Sequence, residues 1–258
     1  MIRDRLAATG KRFYCIAFTV RSGSSLLCED LTQWGLGAPT EHFQFPAQPV
    51  LSEPIADYLT RVVDGSPGGW YGLKITWSQV HGLTSRLRSE GDTSVGFDLR
   101  TVFPDLKFVY IERKDLIGQA LSAWRAGQSG TWHWPVGQDV DKGRPALDYD
   151  AVLIYLQSIL TDNWLWRSHF EELGETPYEM IYEEYIQDRP SRLEHLCRWL
   201  GWEGEPVPLE DRLNVMRDDW TAQMSRAVKG KLYEPPDVME STDRWAERNS
   251  GTSRPPNA

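Results

Sequence analysis

A chain of 258 residues with 40% hydrophobic and 25% charged side chains can bury a sizeable core, which excludes a disordered chain. Its 28 Lys and Arg stand against 37 Asp and Glu, a net charge of −9, so bulk electrostatics oppose a nucleic-acid backbone and any anionic ligand needs a local cluster of donors. No apolar run approaches the roughly 20 residues that cross a bilayer, and Cys15, Cys28 and Cys197 lack CxxC spacing, which suits reduced thiols in a cytoplasmic protein better than disulfides or a zinc site.

Residues 13–20 form a continuous apolar, β-favouring run, the pattern of a buried parallel strand. The run ends in Arg21 without a small-residue cleavage site, so it reads as a strand and not as a signal peptide. Arg21, Ser22, Gly23, Ser24 and Ser25 follow, and then Leu26, Leu27, Leu31 and Trp34 recur at helical spacing before Gly35 and Gly37. The Pro-rich stretch 38–67 predicts irregular chain around a helix at 55–63. Residues 71–75 predict a second strand and 107–111 a third, with a helical pattern through Leu116, Ala120, Leu121 and Trp124. A Gly/Pro-containing loop at 135–145, suited to a lid or insertion, precedes a long helix over 149–173. A strand at 178–182 and a helix at 190–200 stopped by Gly201 come next, then a short helix within 237–248 and a disordered end from 249. Strands alternating with helices predict a single α/β domain over 1–248: a P-loop-like central parallel sheet with helices on both faces.

A strand running through Arg-Ser-Gly-Ser-Ser into a helix aims backbone N–H groups and the positive helix end at one spot, which makes an anion site. Gly23 permits the sharp path, Ser24 and Ser25 add hydroxyls, and Arg21 adds a forked charge. The same residues also suit an ordinary strand-to-helix turn capped by Ser. A nucleoside triphosphatase would place Lys before Ser24 or Ser25, and none stands there. With no apolar strand ending in Asp and no HxxxH spacing among the five His, metal-free anion chemistry is favoured.

Residues 19–27, Thr-Val-Arg-Ser-Gly-Ser-Ser-Leu-Leu, resemble the 5′-phosphosulfate loop of sulfotransferases that use 3′-phosphoadenosine-5′-phosphosulfate (PAPS). Residues 37–43, 72–77, 110–115 with 119–122, Tyr182-Glu183-Glu184 with Asp188 and Pro190, and 244–248 extend the similarity toward the bacterial trehalose sulfotransferase family, in that order along the chain. The resemblance implies the sulfotransferase fold. It further implies that the loop of Arg21, Ser22, Gly23, Ser24, Ser25 and Leu26 grips the 5′-phosphosulfate, while Arg113 and Ser122 grip the 3′-phosphate. Arg113 ends a strand, where open α/β sheets bind ligands, and Lys114 beside it is able to share the task.

Glu41 matches the family's general base, needed because an alcohol attacks sulfur only as its proton is accepted, and His42 is a rival. Lys74 is a candidate to assist transfer or hold the acceptor. Trp77 and the Trp132-His133-Trp134 segment either face a sugar or pack. The expectation is sulfuryl transfer from PAPS, leaving 3′,5′-ADP, to a hydroxyl of a carbohydrate or glycolipid, without metal. The resemblance allows a homodimer that nothing in the residues requires. A catalytically silent nucleotide-binding module and a kinase-like transferase are the alternatives.

Overall fold

The structure, a computed structural model, describes residues 1–43, 53–139, 143–214 and 218–233. The helix expected within 237–248, the tail from 249 and the 244–248 segment lie outside the described residues. In chain order the elements are α1 (Ile2–Ala7), β1 (Arg12–Phe18), α2 (Ser24–Gln33), α3 (Ile55–Asp64), β2 (Trp70–Ile75), α4 (Trp77–Ser89), β3 (Lys107–Glu112), α5 (Leu116–Ser129), α6 (Tyr149–Leu173), β4 (Tyr178–Ile181), α7 (Tyr182–Tyr185), α8 (Arg189–Leu200) and α9 (Asp219–Tyr233). The four strands pair in parallel in the order β2-β1-β3-β4, as alternating strands and helices require.

The apolar run of β1 works because a buried parallel strand has two interior faces. Phe13, Cys15 and Ala17 point into one core with Ile55, Leu59 and Val63 of α3, Val80, Leu83 and Leu87 of α4, and Trp166 and Phe170 of α6. Tyr14, Ile16 and Phe18 point into the other, against Leu27 and Leu31 of α2 and Leu193, Leu196 and Leu200 of α8. Each such Leu or Ile taken out of water contributes about 1.5–3 kcal/mol, so both faces must stay covered. A third cluster joins α5, α6 and α9 through Leu121, Trp124, Ile159, Trp220 and Val228.

Helix ends follow local chemistry. Asp115 caps α5 by accepting from Gly118 N, and Asp148 caps α6 by accepting from Ala151 N at 3.0 Å. Four of the described helices carried no sequence expectation: α1, α4, α7 and α9. The signal for α4 was present, since Thr76 and Gln79 form a reciprocal capping box in which Thr76 N donates to Gln79 Oε1 at 3.0 Å. Among the described residues no helix is long and apolar enough to cross a membrane, and all three cysteines are free and buried.

Candidate active site

A cavity of about 850 Å³ opens at the carboxyl ends of β1, β2 and β3. There the chain leaving β1 turns into α2. Open α/β sheets take their ligands at this edge.

Two residues in the left-handed region, Arg21 (φ 61°) and Gly23 (φ 91°), fold the turn between β1 and α2. The conformation is costly for Arg, and three contacts hold it: Arg21 Nε donates to Ser122 Oγ at 2.9 Å, its Nη1 donates to the Trp132 carbonyl, and its own carbonyl accepts from Arg113 Nη1 at 3.3 Å. Glycine at 23 is a steric requirement as well, because a Cβ there would meet the Tyr182 ring at 2.1 Å. No side chain caps α2, whose first backbone bonds run from Leu26 N and Leu27 N to Gly23 O at 3.1 and 3.3 Å, so the helix presents its positive end, with the N–H groups of Ser24 and Ser25 ahead of those bonds, where Ser24, Ser25 and Leu26 line the cavity.

Ser22 departs from the expected cradle of hydroxyls. Its N–H bonds Thr19 O at 3.2 Å, its side chain does not line the cavity, and its Oγ is buried without a partner among the described residues. Ser22 therefore shapes the turn through its backbone, and Ser24 and Ser25 supply the hydroxyl-bearing lining.

The structure brings Arg113 and Ser122 to this turn, both bonding to Arg21. Arg113 lies over the Tyr182 ring, 4.9 Å from its centroid, with Nε 3.4 Å from Glu183 Oε1. Burial first, and the neighbouring Arg113 charge second, push the Arg21 guanidinium down to about 10, which leaves it cationic at neutral pH and repelled by the Arg113 guanidinium. An anion between them would relieve that repulsion. Lys114 does not line the cavity: its side chain is 64% exposed and pairs with Glu184.

Glu41 reaches the cavity because Thr40 bridges Leu73 at the edge of β2, with Lys74 N donating to Thr40 O at 3.3 Å. Lys74 Nζ lies 2.8 Å from Glu41 Oε1 and 3.1 Å from Ser25 Oγ, tying the carboxylate to the β1–α2 turn, and sits 4.6 Å from the Phe18 ring centroid. Gln79 Nε2 donates to Glu41 Oε2 at 3.1 Å. His42 turns the other way. It stacks on Tyr71 with centroids 5.8 Å apart, does not line the cavity, and burial pushes its pKa down.

Trp77 packs against Trp166 and His169 and is absent from the cavity wall, whereas Trp132, His133 and Trp134 all line it. Burial, then the Lys74 and Arg21 charges, push the His133 pKa down. The beginning of the expected lid is sewn in place: Val136 N donates to Arg212 O at 2.9 Å and Asn214 N to Trp134 O at 2.8 Å. Residues 140–142 of that loop lie outside the described residues.

Sequence reasoning missed Gln79, Arg125, Tyr155, Ser158 and Asp162, and gave Tyr182 no role at the site; all of them border the cavity. Gln79 was findable from its capping box; the others depend on how α5, α6 and α7 pack. Tyr185, on the same short helix as Tyr182, donates to the buried Asp30 of α2, and Arg189 Nη2 meets Asp30 Oδ1 at 2.7 Å, which clamps α7 and α8 onto the helix that follows the turn.

Known proteins are similar to this chain. A trehalose 2-sulfotransferase of Mycobacterium tuberculosis (strain Erdman) is 26% identical over 257 residues, covering 81% of this chain and 92% of that protein. One of Mycolicibacterium smegmatis is 24% identical, covering 83% and 94%. The crystal structure of a sulfotransferase from Alicyclobacillus acidocaldarius superposes with a TM-score of 0.51 at 15% identity, covering 85% of this chain and 92% of that one, a likeness of fold. The model of the Stf0 sulphotransferase family matches residues 53–226, a span that holds Lys74, Arg113 and Ser122. With its parallel sheet and a cation-lined turn at the sheet's carboxyl edge, this chain belongs to the Stf0 sulphotransferase family.

Proposed function

We propose that the chain moves a sulfuryl group from PAPS to a hydroxyl of a carbohydrate or glycolipid acceptor, a trehalose-like sugar being the acceptor class the named relatives suggest. One observation carries the reading: the paired guanidiniums of Arg21 and Arg113 and the uncapped start of α2 share a cavity with the Glu41–Lys74 pair. The donor set fits a nucleotide bearing two separate anionic groups. The turn residues Arg21, Gly23, Ser24, Ser25 and Leu26, with the Ser22 backbone, would hold the 5′ end, and Arg113 with Ser122 the 3′-phosphate. The donor supplies an activated sulfuryl group; the protein's part is alignment and charge compensation.

Glu41 is the base in this reading. Gln79 and Lys74 fix its two oxygens, and the carboxylate accepts the acceptor's proton as the bond to sulfur forms. Lys74 also touches Ser25, so it sits where negative charge builds on the departing group.

The test is calorimetry with 3′,5′-ADP and ATP, then product release with PAPS and a panel of neutral mono- and disaccharides. Tight binding of 3′,5′-ADP, little of ATP, and acceptor-dependent release of 3′,5′-ADP are expected. Arg113→Ala should weaken 3′,5′-ADP roughly ten- to hundredfold, the worth of one charge-assisted contact. Equal competition by ATP would point to a kinase-like transferase, and binding without turnover to a silent module.

A further inference from the structure

α6 presents a row of hydrogen-bonding side chains to the cavity. Tyr155, Ser158 and Asp162 all line it, and their spacing puts them on one stripe about 10 Å long. Among the described residues none of the three side chains has a hydrogen bond or ion pair. A Cβ on Gly127 of α5 would come within 2.5 Å of the Tyr155 hydroxyl, so the glycine leaves room for that group. Asp162 is half-buried, burial raises its pKa, and among the described residues no Lys or Arg pairs with it.

The orientation of the row follows from Trp166, one turn beyond Asp162. Its Nε1 donates to Phe18 O at 3.4 Å, at the end of β1, and its ring meets Trp77 at the start of α4. Lys74 Nζ lies against the Phe18 ring. Asp162 is thus the end of the row nearer the Glu41–Lys74 pair, and Tyr155 is the outer end, over Gly127. A polar rail that starts near the reacting groups and runs outward for about 10 Å matches the length of a two-ring sugar.

Resting on the function proposed above, we propose that this α6 face grips the acceptor, with Asp162 as the specificity residue that binds a neutral vicinal diol and rejects anionic acceptors. A carboxylate takes two hydroxyl donors at once, with charge-assisted strength. A diol would supply those donors. A phosphate or sulfate already on the acceptor would instead set a second anion beside a carboxylate that pairs with no cation among the described residues, in a partly desolvated space where like charges repel strongly. The same carboxylate would then disfavour repeated sulfation of one acceptor.

The experiment measures kcat and KM of the full chain with the best neutral disaccharide of the panel, α,α-trehalose first, and with its 6-phosphate, in the wild type, Asp162→Asn and Asp162→Glu. Calorimetric 3′,5′-ADP affinity and Tm serve as controls. Asp162→Asn should raise KM for the neutral sugar about tenfold or more with kcat much less affected, keep 3′,5′-ADP affinity, and raise the relative kcat/KM of the phosphorylated sugar. Asp162→Glu, which keeps the charge, should keep the bias against the phosphorylated sugar even if the Asn variant is too unstable to assay. Unchanged kcat/KM in Asp162→Asn, or a wild type that prefers the phosphorylated sugar, overturns the inference and leaves the sulfotransfer reading standing. A wild type that binds 3′,5′-ADP yet sulfates no sugar removes the proposed acceptor class, and this inference with it.

Discussion

Gly23→Ala tests whether the β1–α2 turn has the geometry described. The new Cβ would lie 2.1 Å from a Tyr182 ring carbon, with a second at 2.7 Å. Carbon atoms settle at about 3.5–4.0 Å, so ring or turn must yield by about 1.5 Å. Overpacking of that kind costs about 1–3 kcal/mol, and a left-handed backbone on a non-glycine residue adds about 1–2 kcal/mol. Together these give about 2–5 kcal/mol, which for a chain of this size lowers Tm by about 4–20 °C. Differential scanning calorimetry of wild type, Gly23→Ala, Tyr182→Ala and the double variant separates the two parts. With the ring gone, the alanine should cost only the backbone part, about 1–2 kcal/mol. An equal penalty in both backgrounds, or none in the wild type, would refute the account of the turn.

Glu41→Gln should leave 3′,5′-ADP affinity unchanged and lower kcat about a hundredfold; full activity would remove Glu41 from the mechanism. Ser22→Ala should bind 3′,5′-ADP as the wild type does with Tm unchanged or higher, since it removes a buried hydroxyl without a partner, whereas Ser25→Ala loses a cavity hydroxyl and a Lys74 contact and should bind several-fold more weakly. A weakened Ser22→Ala would show that this hydroxyl reaches the ligand. Burial holds the pKa of His42 and His169 below the ordinary histidine value. A depressed folded-state pKa contributes stability that is present above the unfolded value of about 6.5 and lost as pH falls below it. Tm should therefore fall between pH 7.5 and 5.5, and fall less in a His42→Gln, His169→Gln double variant; an identical fall in both proteins contradicts the assignment.

The strands and the β1–α2 turn were legible because a two-faced buried strand and a Gly/Ser turn write themselves as local composition: the 13–20 run, the Arg-Ser-Gly-Ser-Ser segment, and α6, found at its observed bounds between Asp148 and Gly174. What stayed hidden depends on direction or distant packing. The left-handed Arg21 turns the Ser22 hydroxyl inward, which no spacing announces. Glu41 and His42 diverge because residues beside a strand alternate faces, one meeting Lys74 and the next Tyr71. Tyr182 and Asp162 acquire their neighbours only when α7 and α6 dock. The helix at 77–89 escaped notice because its capping box lies against the end of a strand.

The clamp of Tyr185 and Arg189 on Asp30, together with the contact of Tyr182 and Gly23, makes the amino-terminal turn inseparable from a segment about 160 positions away. Engineers who recombine this protein with relatives face a constraint: a crossover between α2 and β4 would exchange one half of an interlocked joint. Chimeras that carry positions 23, 30, 182, 185 and 189 from the same parent keep the joint whole, so inheritance at those five sites is a simple sorting rule for a shuffled library.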